Sequence, residues 1–345
     1  MAFLKVVHSQ AIQASLRHLD RACQACFDKT QTNKRCPVFK KKGVTTDNFS
    51  YPQGFKSDQD LNNIFLPKIG WVKYRNSQKV VGVPKNITVT RKGLYGYVAI
   101  QIDYDAMSLP HKSTSDIGID RGIKRFATLS DGTVYNPLNR FKGNTEKPAK
   151  VQRKLKHKKK FANNWQKVKA KITQCHEDIA NARNDYLHKV STEVCDKQAM
   201  LFVEDLKIKS MSQSAKGTLD KLGKKVDQKS GFNKAIVAQG WSMFFQMLAY
   251  KQDWHGGMVL KVAPHHTSQQ CPVCHHSPAQ NRLTQADVVC TECGYTANAD
   301  EVGSIKIRTR GHIALACEVN GAVMPSAAGT SDARPLLVKQ ESPSL

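Results

Sequence analysis

The stretch that decides the fold is DIGIDRGIKRFATLSDGT, residues 116–133. A short apolar segment, a glycine-containing turn and a second apolar segment are typical of two adjoining strands. The first strand ends on an acid, Asp120, although its other residues predict burial. Three basic residues follow closely: Arg121, Lys124 and Arg125. We expect this acid to have a function, and the basic residues to lie where a phosphate backbone would pass.

The 345-residue chain is strongly basic. Lys and Arg number 53 against 28 Asp and Glu, which gives a formal net charge of +25. This excess predicts a polyanionic partner, with nucleic acid as the first candidate and a membrane surface as the second. The sequence lacks both a spanning apolar run and a signal peptide, so we expect no membrane partner and a cytoplasmic, nucleic-acid-associated protein.

The ten cysteines fall into two groups. CPVC at 271–274 and CTEC at 290–293 are two C-x-x-C turns on either side of the segment 275–289, a spacing that indicates a closed structural zinc site. Its predicted ligands are Cys271, Cys274, Cys290 and Cys293. The other six are scattered, which fits a reducing compartment. Among them, Cys23 and Cys26 form a lone C-x-x-C that favours small buried or half-buried thiols over a metal site. No disulfide framework is expected among the six, and the role of Cys23, Cys26 and Cys36 stays open.

Three acids stand out by position. Asp120 and Glu204 each end an apolar strand, and Asp300 follows the cysteine module at the start of a helix. A strand-end acid is more often a turn or cap residue, and spacing alone does not prove that the three meet. If they converge, their oxygens suit two Mg²⁺ ions that activate water and stabilise a leaving 3′-oxygen. The residues then predict a metal-dependent phosphodiesterase acting on nucleic acid.

Residues 145–197 are predicted to form a basic helical hairpin. The run KVQRKLKHKKKFANNWQKVKAKI, residues 150–172, has no acid to pair with its lysines, and two aromatic residues interrupt it. We interpret it as a phosphate-facing helix, followed from residue 177 by a second, more balanced helix. The predicted nucleic-acid contacts are Arg153, Lys154, Lys156, Lys158, Lys159, Lys160, Lys167 and Arg183 here, and Lys40, Lys41, Lys73 and Arg282 elsewhere.

Periodicity predicts the remaining elements. The N-terminal segment 1–30 favours a helix, and alternating Val, Ile and Tyr between positions 66 and 104 favour antiparallel strands of a small barrel or sheet. The segment 233–257 favours one apolar helix, and 258–264 favours a strand.

Several collinear motifs resemble the TnpB (OrfB) family of insertion-sequence proteins, which is related to type V CRISPR effectors. GIDRGIKRFATLSDG (118–132) and LFVEDLKIKSM (201–211) resemble the first and second motifs of the RuvC nuclease domain. SQQCPVCHH…NRLTQADVVCTECGYTANADEVGSIKI (268–307) resembles the zinc ribbon and third motif of that family. The resemblance extends over most of the chain.

The resemblance implies a mixed α/β fold. It consists of an RNase H-like RuvC nuclease domain with an inserted helical hairpin and a zinc ribbon, plus an N-terminal β-barrel-like wedge with a helical insertion. The implied domains are a wedge at 1–115 that starts partway in, a first nuclease part at 116–265 with the hairpin 145–197, a zinc ribbon at 266–297, a last nuclease part at 298–319, and a disordered tail at 320–345.

The resemblance also implies an RNA-guided DNA endonuclease of a prokaryotic mobile element. Asp120, Glu204 and Asp300 would be its catalytic triad and hold two Mg²⁺, and its partners would be a guide RNA from the transposon end and target DNA. Two alternatives stay open: an idle or truncated nucleic-acid-binding regulator, and a transposase that performs DNA strand transfer itself. The guide, the target-adjacent motif and the oligomeric state are not given by the sequence.

Overall fold

The computed structural model divides the chain into two compact units. The first comprises Met1–Met107 and Lys150–Glu177, and the second comprises Ser108–Ala149 and Asp178–Leu345. The described residues are 5–31, 34–39, 47–77, 79–92, 95–103, 110–138, 140–217, 223–264, 270–276, 279–281, 284 and 286–319. The predicted disordered tail at 320–345 lies outside them.

In its described residues, the first unit combines an N-terminal helix and the helical stretches within Lys150–Glu177 with two antiparallel sheets of three strands each. Its sheet orders are β1-β5-β6 and β2-β3-β4. The elements are α1 (Ser9–Phe27), β1 (Asp47–Tyr51), β2 (Lys56–Asp58), β3 (Asn63–Leu66), β4 (Gly70–Lys73), β5 (Val83–Lys92) and β6 (Tyr95–Asp103). The buried core is Ala11, Tyr51, Ile64, Leu66 and Ile87. The helix and the antiparallel strands match the sequence prediction, and within the described residues the strands form two sheets rather than one barrel.

Two of the scattered cysteines form a disulfide. After α1 ends at Phe27, turn hydrogen bonds fold the chain back and bring the Cα atoms of Cys26 and Cys36 to 5.0 Å. The prediction of unpaired thiols is therefore wrong for these two residues, whereas Cys23 is free and half-buried. The fold-back was not visible in the sequence because no glycine or proline pair marks it.

The basic region forms two helices, α2 (Arg140–Lys156) and α3 (Asn163–Lys197). The prediction of a helix boundary near residue 177 is wrong: α3 continues through it, and the break lies at 157–162. The sequence prediction took the change from basic to mixed charge as an end of structure. Charge alone does not end a helix, and the segment 173–180 contains no Gly or Pro.

A mixed five-stranded sheet organises the second unit, in the order β11-β10-β7-β8-β9. Its strands are β7 (Asp116–Asp120), β8 (Ala127–Leu129), β9 (Val134–Tyr135), β10 (Met200–Glu204) and β11 (Met258–Val262). The last two strands run parallel to β7, whereas β8 pairs antiparallel with both β7 and β9. The hairpin β7–β8 is thus the pair of strands that residues 116–133 predict.

Both faces of this sheet are buried, which explains the uninterrupted apolar run of β10. Successive side chains of a strand point to opposite faces. Leu201 and Val203 join the core cluster that contains residues of α3, α5 (Val226–Gln239) and α6 (Trp241–His255). Phe202 packs on the other face with Ile307. Each such side chain, fully buried, contributes about 1.5–3 kcal/mol.

The predicted single helix over 233–257 is wrong, because two helices share this segment. Gly240 separates them with a left-handed backbone, φ 70°. A side chain there would also come within 3.2 Å of Leu187 in α3. The strand predicted at 258–264 is confirmed as β11, which ends two residues earlier, at Val262.

The remaining elements are a short helix and the C-terminal part of the unit. They are α4 (Ile208–Met211), a 3-10 turn (Ala279–Asn281), β12 (Asp287–Val289), β13 (Thr296–Asn298) and α7 (Ala299–Val319). The two strands form an antiparallel hairpin that leads directly into α7. Across the described residues, no helix combines the length and apolar character needed to cross a bilayer.

Candidate active site and metal centre

Two of the three predicted acids lie at one edge of the sheet. The parallel register pairs Phe202 with Gly118 and Val203 with Ile119. The next residue on each strand is an acid, Glu204 on β10 and Asp120 on β7, and both strands end there. Parallel strands present their carboxyl ends at the same edge, so the two acids become neighbours although α2 and α3 intervene between them in the sequence.

Helix α7 carries the third acid, Asp300, to the same edge. The helix packs directly on β7 because Gly118 has no side chain: a Cβ there would collide with the Ser304 carbonyl and lie 2.7 Å from the Arg308 nitrogen. One turn after the acid, a Cβ at Gly303 would lie 2.8 Å from the Asp120 carboxylate. Glycine at these two positions thus brings the start of α7 close to the end of β7.

An ion pair fixes α7 at the other end of β7. Arg308 donates two hydrogen bonds to the Asp116 carboxylate, at 2.6 and 2.9 Å, and His312 lies 2.8 Å from the same group. These charges lower the pKa of Asp116, with the Arg308 hydrogen bond as the largest cause. The helix therefore runs antiparallel to β7, with its start beside Asp120.

The three acids interact electrostatically. Although Asp120 keeps partial solvent exposure, its carboxyl is densely surrounded by protein, and burial raises its pKa to about 7, with Glu204 and then Asp300 as further causes. Glu204 is buried, with 8 % of its surface exposed, and Asp300 is half-buried. Carboxylate oxygens are the donors that hard divalent cations prefer, so the chemistry of the three acids suits Mg²⁺, although their oxygens do not all lie within 4.8 Å of one another.

Arg121 has a different place from the one that the sequence predicted. Only 7 % of its surface is exposed, and its guanidinium donates to the main-chain carbonyls of Glu204 and Trp241. Burial lowers its pKa to about 10, so it stays charged at neutral pH. The prediction that it faces a phosphate backbone is wrong: it joins the ends of β7 and β10 and offsets part of the negative charge.

The other two basic residues of the motif differ from each other. Arg125 is half-buried and donates to the Asn298 side chain at 3.3 Å. Asn298 also accepts from the main-chain N–H of Asp300 at 3.1 Å, which caps the start of α7. Of the three basic residues after Asp120, Lys124 alone is exposed.

The four predicted cysteine ligands form a closed cluster. Their sulfurs all lie within 4.8 Å of one another, and they are the one set of three or more possible His, Cys, Asp or Glu ligands this close among the described residues. The S–S separations are 3.6 Å for Cys271–Cys293 and 3.4 Å for Cys274–Cys290. Tetrahedral zinc with Zn–S bonds of about 2.3 Å sets its sulfurs roughly 3.8 Å apart, so the cluster fits this ion.

Two similar knuckles build the cluster. In each, the N–H of the first cysteine donates across the turn, from Cys271 to the His276 carbonyl and from Cys290 to the Tyr295 carbonyl. The residue after the second cysteine is left-handed in both, with φ 61° at His275 and 72° at Gly294. Backbone donation, mainly from the next cysteine along the chain, lowers the pKa of Cys290 to about 6, which favours a thiolate ligand.

The cysteine module is joined to the acid site through α7. Val288 of β12 packs with Ala299 and Val302 of the first turn of α7, and the Ala299 N–H donates to the Ala286 carbonyl at 2.7 Å. Because Asp300 lies between these packed residues, the fold of the module sets the position of this acid.

Lys306 makes a contact with the cysteine module that the sequence analysis did not predict. It is only 4 % exposed, and its ammonium lies 3.3 Å from the His275 ring in the first knuckle. Burial lowers its pKa, and the charge of Cys271 opposes that effect. A lysine on α7 thus faces the thiolate cluster, and no sequence signal distinguishes it from a surface lysine.

Most of the predicted nucleic-acid contacts that the structure describes are exposed. Exposed side chains are Lys73 at the end of β4, Arg153, Lys154 and Lys156 in the last turn of α2, Lys158, Lys159 and Lys160 in the turn, and Lys167 in α3. Arg183 is half-buried and directs one donor to the Val237 carbonyl at 3.5 Å. Lys40, Lys41 and Arg282 lie outside the described residues.

Fold and site define a class of protein: a basic α/β protein in which a four-cysteine cluster that fits zinc adjoins a sheet edge with three acids. Two family models match the chain. OrfB_IS605, described as "Probable transposase", matches residues 99–215, and "Cas12f1-like, TNB domain" matches residues 241–307.

Relatives extend the match over the chain. InsQ of Escherichia coli strain K12, which its curated name provisionally calls an RNA-guided DNA endonuclease, is 49 % identical over 91 % of this chain and 77 % of its own length. A Streptomyces pristinaespiralis protein of the same designation is 25 % identical over 92 % of this chain and 75 % of its own. The chain therefore belongs to the TnpB (OrfB) family of insertion-sequence proteins.

The solved structures that are similar to this chain include one of a Cas12f1 complex. The cryo-EM structure of a Cas12f1–sgRNA–target DNA complex matches 81 % of this chain and 71 % of the Cas12f1 chain, with a TM-score of 0.40 and 17 % identity.

Proposed function

We propose that the protein is an RNA-guided, Mg²⁺-dependent DNA endonuclease of a mobile element. The observation that carries the proposal is the convergence at one sheet edge: parallel register makes Asp120 and Glu204 neighbours, and the Gly303 contact brings the start of α7 to them. Family membership and the basic surface support nucleic acid as the substrate, since InsQ is named for this activity.

The five-stranded sheet is, in this proposal, the RNase H-like core of a RuvC nuclease domain. Numbered along the chain, its strands stand in the order 3-2-1-4-5, with only the second strand reversed. The nuclease then comprises 116–265, with the insertion 145–197, and 298–319. The zinc ribbon is 266–297, and 1–115 is the recognition wedge.

Asp120, Glu204 and Asp300 would hold the catalytic metals, and the four cysteines would hold Zn²⁺. When bound, Mg²⁺ supplies an activated water and stabilisation of the leaving oxygen, while Zn²⁺ in a closed four-thiolate site supplies folding energy. Arg121 positions Glu204 by holding its carbonyl, and its charge limits repulsion among the acids. The exposed lysines hold the phosphate backbone, and water reaches the site at the partly open Asp120.

The partners in this proposal are a guide RNA from the transposon end and target DNA, in the cytoplasm of a prokaryote. Base pairing would select the sequence, and the protein would recognise backbone shape and a short adjacent motif. The basic residues between 153 and 167 are the proposed contacts with the nucleic-acid backbone.

Asp120→Asn tests the proposed chemistry. With purified protein, transposon-end RNA and a matching DNA, we expect cleavage to fall to background while RNA affinity is unchanged. Asp131→Asn is the matched control, since this exposed acid lies in the same sequence motif and caps a surface turn. Full cleavage by Asp120→Asn would refute the catalytic assignment.

Analysis of the RNA that copurifies with the chain distinguishes the RNA-guided nuclease from the two alternative functions, a transposase and an idle regulator. A specific transposon-end RNA that is required for cleavage supports the proposal. Strand transfer without RNA would support a transposase, and RNA binding without any cleavage by the unmodified chain would support an idle regulator.

A further inference from the structure

The turn between α2 and α3 exposes an aromatic pair. Phe161 has 71 % of its surface exposed, although a phenylalanine ordinarily gains stability by burial. Its ring centroid lies 5.5 Å from that of half-buried Trp165, at an angle of 55°. The pair therefore offers an open aromatic face on the protein surface.

The exposed position of Phe161 requires a strained backbone conformation. Its backbone is left-handed, φ 69°, a conformation that a bulky residue with a Cβ atom rarely adopts because it is strained. Gln166 of α3 donates from its side chain to the Phe161 carbonyl at 3.1 Å, and the Ala162 N–H donates to the Lys159 carbonyl. A glycine or asparagine would satisfy this turn more easily, so an exposed phenylalanine here needs a reason other than folding.

Positive charge surrounds the ring pair. The ammonium of Lys160 lies 5.4 Å from the centroid of Phe161, and that of Lys169 lies 5.3 Å from the centroid of Trp165. Exposed lysines continue on both sides, and the segment 147–176 contains no acid. A ligand that fits must combine flat apolar faces with a polyanionic backbone, which is the chemistry of unpaired nucleic acid.

We propose that Phe161 and Trp165 form a stacking site for an unpaired nucleobase of a single strand. The neighbouring lysines hold the phosphates on either side of that base. The proposal rests on the proposed function for the presence of nucleic acid, and it adds to it a base contact at a defined site. A paired base within a duplex does not offer its face to a surface ring, so the site distinguishes single strands from duplex.

Equilibrium binding of the full chain to oligonucleotides about 12 nucleotides long tests the site. The probes are single-stranded RNA, single-stranded DNA of the same sequence, and the DNA duplex, measured by fluorescence anisotropy without Mg²⁺. Phe161→Ala is expected to weaken single-strand binding about 5- to 150-fold, the loss of one base–aromatic stack. Phe161→Tyr is expected to retain affinity, since it keeps the aromatic face.

Phe232→Ala is the matched control. Phe232 is also an exposed phenylalanine beside a lysine, with the Lys229 ammonium 5.2 Å from its ring, but it lies within helix α5. We expect this variant to bind like the parent chain. A loss as large as that of Phe161→Ala would overturn the site, because any exposed ring would then serve.

Salt dependence separates stacking from charge. Phe161→Ala should leave the slope of log affinity against log salt unchanged, whereas Lys160→Ala should reduce it by about 0.7, one phosphate contact to a single strand. A loss of affinity of Phe161→Ala for single-stranded RNA or for single-stranded DNA supports the site and identifies which of the two strands occupies it. Unchanged affinity for both single strands, or an equal loss for duplex, would overturn it.

The assay does not depend on cleavage. If Asp120→Asn still cuts DNA but Phe161→Ala loses single-strand affinity, the proposed catalytic residues fail and the stacking site stands. The reverse result removes the stacking site alone. Circular dichroism of Phe161→Ala and Phe161→Tyr checks that α2 and α3 retain their helical content.

Discussion

The two sets of candidate metal ligands differ in how the chain assembles them. The four cysteines come from two short turns that lie close together in the sequence, and each turn has the same internal hydrogen bond. The three acids come from two strands and a helix that span residues 120–300. Local turns fix the first set, whereas the second set depends on the packing of a whole unit.

The two sets also differ in how close their possible ligand atoms lie to one another. The sulfurs lie within 4.8 Å of one another, but the three carboxylates are not gathered into such a cluster. Burial and mutual repulsion raise the pKa of Asp120, and Arg121 neutralises part of the charge. A preformed thiolate site suits a permanent structural ion, and a looser acid site suits ions that exchange during a reaction.

Of the changes that test this comparison, loss of zinc should reduce stability and cleavage the most. Structural zinc in small sites contributes about 10–16 kcal/mol of apparent folding free energy. We expect one Zn²⁺ per chain by elemental analysis, and Cys290→Ser to unfold the module, release the start of α7 and abolish cleavage. Cys317→Ser, outside the cluster, is the control. Retained zinc and cleavage in Cys290→Ser would contradict the structural role.

Arg121→Met should destabilise the chain by about 3–5 kcal/mol, because it leaves buried acids without their neighbouring positive charge. Urea unfolding measures this loss. If the acids form a cation site, Mg²⁺ should restore more stability to this variant than to the parent chain. The double variant Asp120→Asn with Arg121→Met should lose that additional rescue; an equal Mg²⁺ effect on all three proteins would count against a shared site.

Gly303→Ala should separate activity from stability. The new Cβ, 2.8 Å from Oδ2 of Asp120, would displace the carboxylate, so we expect cleavage to fall about tenfold or more, as for a misplaced catalytic group. The helix itself gains up to about 1 kcal/mol from alanine. Gly231→Ala, with nothing within 4 Å, should gain stability without losing cleavage. Equal cleavage by both variants would exclude a tight Asp120–α7 contact.

Asp116→Asn should have the smallest effect, about 1 kcal/mol, since the side chain of its partner Arg308 is about half exposed, at 47 %. The folded-state pKa of Asp116 is lowered, so its contribution is present above the ordinary value of 3.8 and is lost as pH falls through the folded value. The parent chain should therefore lose more stability than the variant on acidification below about pH 4. Parallel unfolding curves across that range would argue against this pair.

Sequence reasoning was most successful where structure is local. The knuckles of the cysteine module, the strand ends at Asp120 and Glu204, and the helix start at Asp300 all follow from patterns among neighbouring residues. Turn chemistry and apolar runs determine these features without help from distant parts of the chain.

Features that depend on distant contacts could not be predicted. Arg121 looks like a surface cation beside a phosphate, but it is buried because the carbonyl of the distant Glu204 accepts its hydrogen bond. Gly118 looks like an ordinary strand residue, yet α7 packs against its backbone. The break at 157–162 was missed because charge, rather than backbone geometry, was used to divide the helices.

The packing of α7 on β7 also has a consequence for synthesis on the ribosome. The strands with Asp120 and Glu204 leave the exit tunnel well before residue 299. Gly118 and Phe202 therefore lack their packing contacts with α7 until that helix emerges. A nascent chain at that stage has two of the three acids and no complete hydrolytic site. The proposed nuclease thus acquires its third acid only with α7, and nascent chains that lack this helix are expected not to cleave DNA.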